Sequence, residues 1–212
     1  MTIRPRTGGQ ILVDQLIVHG VDHLFCVPGE SYLAVLDALH DAPLRLIVTR
    51  HEGGAANMAE AYGKLTGRPG VCLVTRGPGA THAANGVHTA FQDSTPLLLL
   101  IGQVARDASG REGFQELDYR AMYGPIAKWA TQVDDAARLP EIVARAFAAA
   151  TSGRPGPVVI ALPEDMLTDR VDVPDGRRRQ VPAAAPGEPE LARLGELLAG
   201  AERPLIVVGE AG

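Results

Sequence analysis

The 212-residue chain is 46% apolar and carries a formal charge of -5 with six histidines and two cysteines. That is enough for one enclosed core plus a short extension. Acidic and basic residues alternate without a basic stripe, which argues against nucleic acid or an anionic bilayer as partner. The apolar run at 96–102 is far shorter than the roughly 20 residues of a membrane helix, and the first nine residues lack the apolar stretch of a signal peptide. A cytoplasmic location is the default expectation.

Leu12, Val13, Leu16 and Ile17 recur at helical spacing, and Gly20 stops that helix before an apolar run at Leu24–Val27. The alternation continues. It predicts a helix around Leu33, Leu36 and Leu39, a strand at Leu46–Thr49, a small-residue helix at Glu52–Thr66, and a strand at Val71–Thr75. A helix at Ala80–Phe91 and a strand at Leu97–Ile101 follow. Strands that are apolar throughout are those of a sheet covered on both faces. The fold class expected is therefore α/β, a parallel sheet with helices on both faces.

Residues 105–123 form a polar stretch in which Phe114, Leu117 and Tyr119 should fold back on the body. A strand at Ala127–Gln132, a helix at Leu139–Thr151 and a strand at Val158–Leu162 complete the unit. The expected division is a domain at 1–172, a linker at 173–189 rich in Pro, Arg and Ala, and the truncated start of a second domain at 190–212. That start comprises a helix at Glu190–Leu198 and a strand from Leu205 to Gly209. There are no internal repeats.

Cys26 and Cys72 lie in separate strand-like runs, and neither they nor the scattered histidines have metal-ligand spacing. Buried spectator thiols are expected, and no metal site. Ligands of an open parallel sheet collect beyond the carboxyl ends of its strands. Four segments should line that rim: Pro28-Gly29-Glu30, His51-Glu52-Gly53-Gly54, Arg76-Gly77-Pro78-Gly79 and Gly102-Gln103-Val104. Glu52 opens a helix there and is followed by residues with almost no side chain, so backbone can approach a ligand closely. Complementing the helix dipole is the plainer role for such a carboxylate. TRGPGATHAANG, residues 75–86, lacks a third fingerprint glycine where His82 stands and lacks the Gly-Lys-Ser/Thr of a P-loop. A tight strand-to-helix turn, or close approach to a flat uncharged ring, remains.

VPGE at 27–30, TRHEGGAANMAEAYGKLTGRPGVCLVTRGPGATH at 49–82 and DSTPLLLLIGQV at 93–104, with GFQELD at 113–118 and SGRPGPVVIALPEDM at 152–166, are in register. Together they resemble the thiamine-diphosphate enzymes of the acetolactate synthase group, and RPLIVVGEAG at 203–212 resembles the opening of that family's central domain. The resemblance implies a pyrimidine-binding domain. Glu52 would hydrogen-bond ring nitrogen N1′ of thiamine diphosphate and so promote loss of the thiazolium C2 proton, initiating decarboxylation of a 2-oxo acid and transfer to a second carbonyl. It also implies that Pro28, Gly29, Thr75, Gly79 and His82 border the cofactor. Phe114, Gln115 and Lys128 would face the substrate, with Gln115 placed among the catalytic residues.

Against the family pattern Glu30 replaces a glycine, His82 an asparagine, Gln92 a methionine and Trp129 a histidine, so Glu30 joins the substrate-side set and the acceptor is left open. The family holds the diphosphate and Mg2+ on a separate domain with a GDG motif, and no such motif occurs here. The 212 residues alone are thus expected to be inactive, and the parent to be a homodimer or tetramer. FAD is left undecided. A non-catalytic scaffold, one subunit of a split enzyme, a simple 2-oxo acid decarboxylase and a flavodoxin-like module are the competing readings.

Overall fold

The structure, a computed structural model, describes residues 5–178 and 185–208. A two-residue strand β1 (Arg6–Thr7) leads into α1 (Gly8–Val18), whose start is fixed by a capping box. The Thr7 hydroxyl accepts from the Gln10 amide at 3.2 Å, and the Gln10 side chain accepts from the Thr7 amide at 3.0 Å. Then follow β2 (His23–Cys26), α2 (Leu33–His40), β3 (Arg45–Val48), α3 (Glu52–Thr66), β4 (Gly70–Val74), α4 (Pro78–Gln92) and β5 (Leu97–Gln103). The rest comprises α5 (Tyr119–Tyr123), β6 (Trp129–Gln132), α6 (Leu139–Thr151), β7 (Pro157–Pro163), β8 (Arg170–Val171) and α7 (Glu188–Ala199).

Six strands form one parallel sheet in the order β3-β2-β4-β5-β7-β6. The expected α/β class is the one observed. Strands β4 and β5 are buried along their whole length, yet still alternate between two cores. Val71, Leu73, Leu98 and Leu100 face one core with residues of α1, α2 and α6. Cys72, Val74, Leu97, Leu99 and Ile101 face the other, with residues of α3, α4 and α5. An apolar run that hides a period of two in this way is what covering both faces produces.

The second core is thin because α3 and α4 meet through alanines and glycines. A Cβ on Gly86 would stand 2.6 Å from the Ala56 Cβ and 2.7 Å from its carbonyl carbon. This close approach carries the helices' N-termini side by side to the same rim.

Several expectations need correction. Strand β5 extends to Gln103, because the long partner β7 pairs Gly102 with Leu162 and Gln103 with Pro163. Those rim residues are therefore strand, not loop. The antiparallel pair β1 and β8 was not foreseen, being too short for any periodicity. Glu188 and Pro189 open α7 instead of ending a linker, proline being well suited to a first helical turn. Val173, Asp175 and Gly176 are also tied to the body: Val173 O accepts from Arg6, an Asp175 carboxylate oxygen from the Gln15 side chain, and the Gly176 amide donates to Gln15 Oε1. Residues 205–208 are exposed and form no strand, and among the described residues no strand pairs with them. Residues 1–4, the central part of the expected linker at 179–184, and 209–212 lie outside the described residues. Among the described residues no helix is long and apolar enough to cross a membrane.

Candidate functional site

Strand order reverses at β2 and β4, whose successors leave in opposite directions, and this switch point is where an open sheet parts to admit a ligand. The loop after β2 and the turn after β4 line it. They meet without a gap: Ser31 Oγ lies 2.7 Å from Thr75 Oγ1, and a Cβ on Gly29 would fall 2.5 Å from the Thr75 Cβ. Tyr32, 1% exposed, supports the loop from below by donating its hydroxyl to Val27 O. Burial, reinforced by the charges of nearby groups including Glu52, pushes that hydroxyl's pKa well above the usual tyrosine range, so it remains a donor.

Glu52 sits one strand away, at the start of α3. His51 is the cap of this helix, its Nδ1 accepting from the Gly53 amide at 3.0 Å. The Glu52 side chain is only 13% exposed, while that of His82 beside it is 50% exposed. His82 Nδ1 lies 2.9 Å from Glu52 Oε2, and a carboxylate can only accept, so Nδ1 carries the proton of this contact. The other carboxylate oxygen faces Gly79, where an added Cβ would stand 3.3 Å from Oε1 and 2.8 Å from Thr75 Cγ2. Above Gly54 an added Cβ would meet nothing within 4 Å. One carboxylate oxygen is thus held by His82, and the other lies against the Gly79 backbone, closely packed beside Thr75.

The turn TRGPG is fixed from several directions. Gly77 has φ +57°, Pro78 is the first residue of α4, and the Gly77 amide donates to Tyr119 Oη at 2.8 Å. Arg76 is 7% exposed. Its guanidinium donates to Glu30 Oε1 at 3.0 Å, Glu164 Oε2 at 3.1 Å and Phe114 O at 3.0 Å. It therefore ties the β2 loop, the end of β7 and the 105–118 segment to one point. Gln115, at φ +62°, rests on Gly77, where an added Cβ would meet the Gln115 Cβ at 2.7 Å.

The fold accordingly links Gly29, Glu30, Glu52, Thr75, Gly79, His82, Phe114 and Gln115 through contiguous contacts, with exposed Pro28 at the mouth. Phe114 does not fold back as expected. The residue is 72% exposed, its ring centroid 6.0 Å from the Arg76 guanidinium carbon, and its carbonyl accepts from the Arg76 side chain.

Lys128 is not brought to the rim. It precedes β6 at the opposite, amino edge of the sheet, and its ammonium group donates to Ala149 O and to Ser152 O, closing the end of α6. Desolvation lowers its pKa from the ordinary lysine value. The expected substrate-facing role is corrected by this placement. Cys26 and Cys72 are both buried, and burial pushes the Cys26 thiol up to about 11, keeping it protonated and inert.

Three residues at the site were given no role from the sequence, although Arg76 and His51 lay in segments expected at the rim. Arg76 stood as a charged residue inside a run of small ones, a signal that was available. Tyr32 carried none. His51 was quoted only as Glu52's neighbour, yet His51, Glu52 and His82 each place a ligand atom within 4.8 Å of the others. The expectation of no metal-ligand cluster rested on linear spacing and could not foresee a grouping that two helix starts create.

The site is thus an α/β switch point with a largely buried carboxylate one strand away, at the start of α3. Residues 6–122 match the family model for the thiamine pyrophosphate enzyme, N-terminal TPP binding domain, and the chain belongs to that family. It is 40% identical over 213 residues to the acetolactate synthase of Arthrospira platensis, covering 96% of this chain and 37% of that protein. It is 38% identical over 209 residues to the probable acetolactate synthase large subunit of Methanocaldococcus jannaschii (95% and 35%). With the acetolactate synthase isozyme 3 large subunit of Escherichia coli it shares 37% identity over 210 residues (96% and 37%). The chain spans about a third of the length of these curated relatives.

Proposed function

We propose that this chain is the pyrimidine-binding, cofactor-activating part of an acetolactate synthase-like carboligase, which decarboxylates a 2-oxo acid and joins the remaining fragment to a second carbonyl. One observation carries the reading. Glu52, 13% exposed, has one oxygen held by His82 and the other beside the bare backbone of Gly79. A ring nitrogen at that oxygen is the partner we assign to it, and a side chain at Gly79 would press on both Glu52 and Thr75 and turn the carboxyl away.

Bound there, thiamine diphosphate supplies the electron sink for loss of carbon dioxide. Glu52 holds a proton at ring nitrogen N1′, and His82 keeps the carboxyl turned towards the ring. Thr75 and Gly29 form the floor, Pro28 its edge. Gln115 and Phe114 stand over the turn on the substrate side, where Glu30 is held by Arg76. The diphosphate and Mg2+ belong to a second domain, met across a dimer or tetramer interface, so this segment alone binds cofactor weakly and turns nothing over. In this reading residues 1–172 are the cofactor domain, and the segment from about 190 opens the next one. The cytoplasm is the proposed location.

The test is to incubate the complete gene product with thiamine diphosphate, Mg2+ and a panel of 2-oxo acids, following carbon dioxide release and ligated products by NMR. Carbon dioxide release with a new carbon–carbon bond supports the proposal. Failure to bind thiamine diphosphate in the presence of Mg2+ contradicts it.

A further inference from the structure

His51 and His82 bracket Glu52 from two different elements. Their rings stack at 4.6 Å with 25° between planes, and one ligand atom of each lies within 4.8 Å of the others and of a Glu52 oxygen. His51 Nδ1 accepts the cap bond from the Gly53 amide, so a metal bond from this ring either falls to Nε2 or takes the place of the cap. Imidazole nitrogens with one carboxylate are the donor set of open zinc sites, where a fourth position is left to water. Tetrahedral bonds of about 2.0–2.1 Å set donor atoms roughly 3.3–3.4 Å apart. The 2.9 Å contact between His82 and Glu52 thus opens by a few tenths of an ångström, and no pair need close by more than about 1.4 Å. The half-exposed His82 side chain has room for that rotation. Mg2+ is a poor match, since it favours octahedral oxygen shells.

We propose that His51, Glu52 and His82 form a binding site for a borderline divalent transition-metal ion, Zn2+ or Co2+, in the cofactor-free chain. The ion occupies the carboxylate that the cofactor ring would use, so metal and cofactor exclude each other. The exclusion rests on the function proposed above, whereas the metal site does not.

Co2+ titrated into the chain, followed by visible ligand-field absorption and by calorimetry, tests the site directly. One ion per chain is expected in a four-coordinate spectrum. His82→Asn and Glu52→Gln should each weaken binding by at least the 10–100-fold typical of lost metal-site support. His88→Asn, on an exposed part of α4, should leave it unchanged, and circular dichroism verifies that each variant is folded. No stoichiometric binding, or full affinity in folded His82→Asn, overturns the site. In the complete gene product, Zn2+ should raise the apparent Kd for thiamine diphosphate in the wild type but not in His82→Asn. If ion and cofactor instead bind together while the Co2+ results stand, the exclusion is wrong and with it the role given to Glu52, and the metal site survives.

Discussion

Gly86→Ala should destabilise this domain although alanine is the better helix former. The propensity gain is about 0.8–1 kcal/mol for an interior position. Against it, the new methyl would stand 2.6 Å from the Ala56 Cβ, 2.7 Å from the Ala56 carbonyl carbon and 2.9 Å from the Asn57 amide nitrogen. These are mostly backbone atoms of α3 and cannot rotate away, so the helices must separate by some tenths of an ångström. Overpacking of that kind costs about 1–3 kcal/mol, with the upper part of the range fitting rigid backbone. The net loss is then about 1–2 kcal/mol, which lowers Tm by about 2–8 °C for a domain of this size. Gly54→Ala is the contrast, since its methyl meets nothing within 4 Å. It should leave stability equal or raise it by up to about 0.5 kcal/mol. Thermal and urea melts followed by circular dichroism measure both. A Gly86→Ala variant at least as stable as the wild type would refute the argument that α3 and α4 touch through backbone.

Arg76→Met removes the common partner of Glu30 and Glu164. Because those carboxylates are 67% and 42% exposed and can rehydrate, the loss should be about 1–2 kcal/mol, below that of a wholly buried pair. Arg76→Lys should recover only part of it, as one ammonium cannot span three acceptors; equal melts for the two variants would contradict the clamp. Asp22 has its carboxyl held well below the usual range, chiefly by the Tyr62 hydroxyl at 2.6 Å, with His23 and Arg68 adding to it. A depressed folded pKa gives stability that is present above the unfolded value near 3.8 and lost as pH falls below it. Tm should therefore drop below about pH 4 more steeply in the wild type than in Asp22→Asn, and parallel Tm–pH curves would count against this. Lys128→Met should cost about 0.5–1.5 kcal/mol through the lost carbonyl contacts of α6 and leave cofactor affinity in the complete gene product unchanged. A weakened affinity would restore the substrate-side role that its position denies.

The layers were legible because burial on both faces writes itself as uninterrupted apolar runs. The helices expected at Glu52–Thr66 and Leu139–Thr151 have those bounds in the structure, where a histidine cap, Gly67 at φ +66° and an N-terminal proline mark their ends. Strand ends were less legible. The reach of β5 to Gln103 depends on its partner β7, and nothing within β5 states it. At the site, Glu52 could be located from its glycine-rich surroundings, and its neighbours from the resemblance. Local sequence could not supply the pairings between distant segments: Arg76 with Glu164, Gln115 over Gly77, and His51 stacked on His82. Each of these depends on strand order. Lys128 shows the opposite failure, a position carried over by motif that packing turned towards a helix end.

The central claim is that Glu52 activates the cofactor rather than merely complementing a helix dipole. The most direct measurement is hydrogen–deuterium exchange at thiazolium C2 of thiamine diphosphate bound to the complete gene product, with Glu52 and with Glu52→Gln. Loss of one positioned acid–base group should slow exchange by about 10²–10⁴-fold while thiamine diphosphate still binds. Exchange at the wild-type rate in a folded, cofactor-bound Glu52→Gln variant would contradict the account.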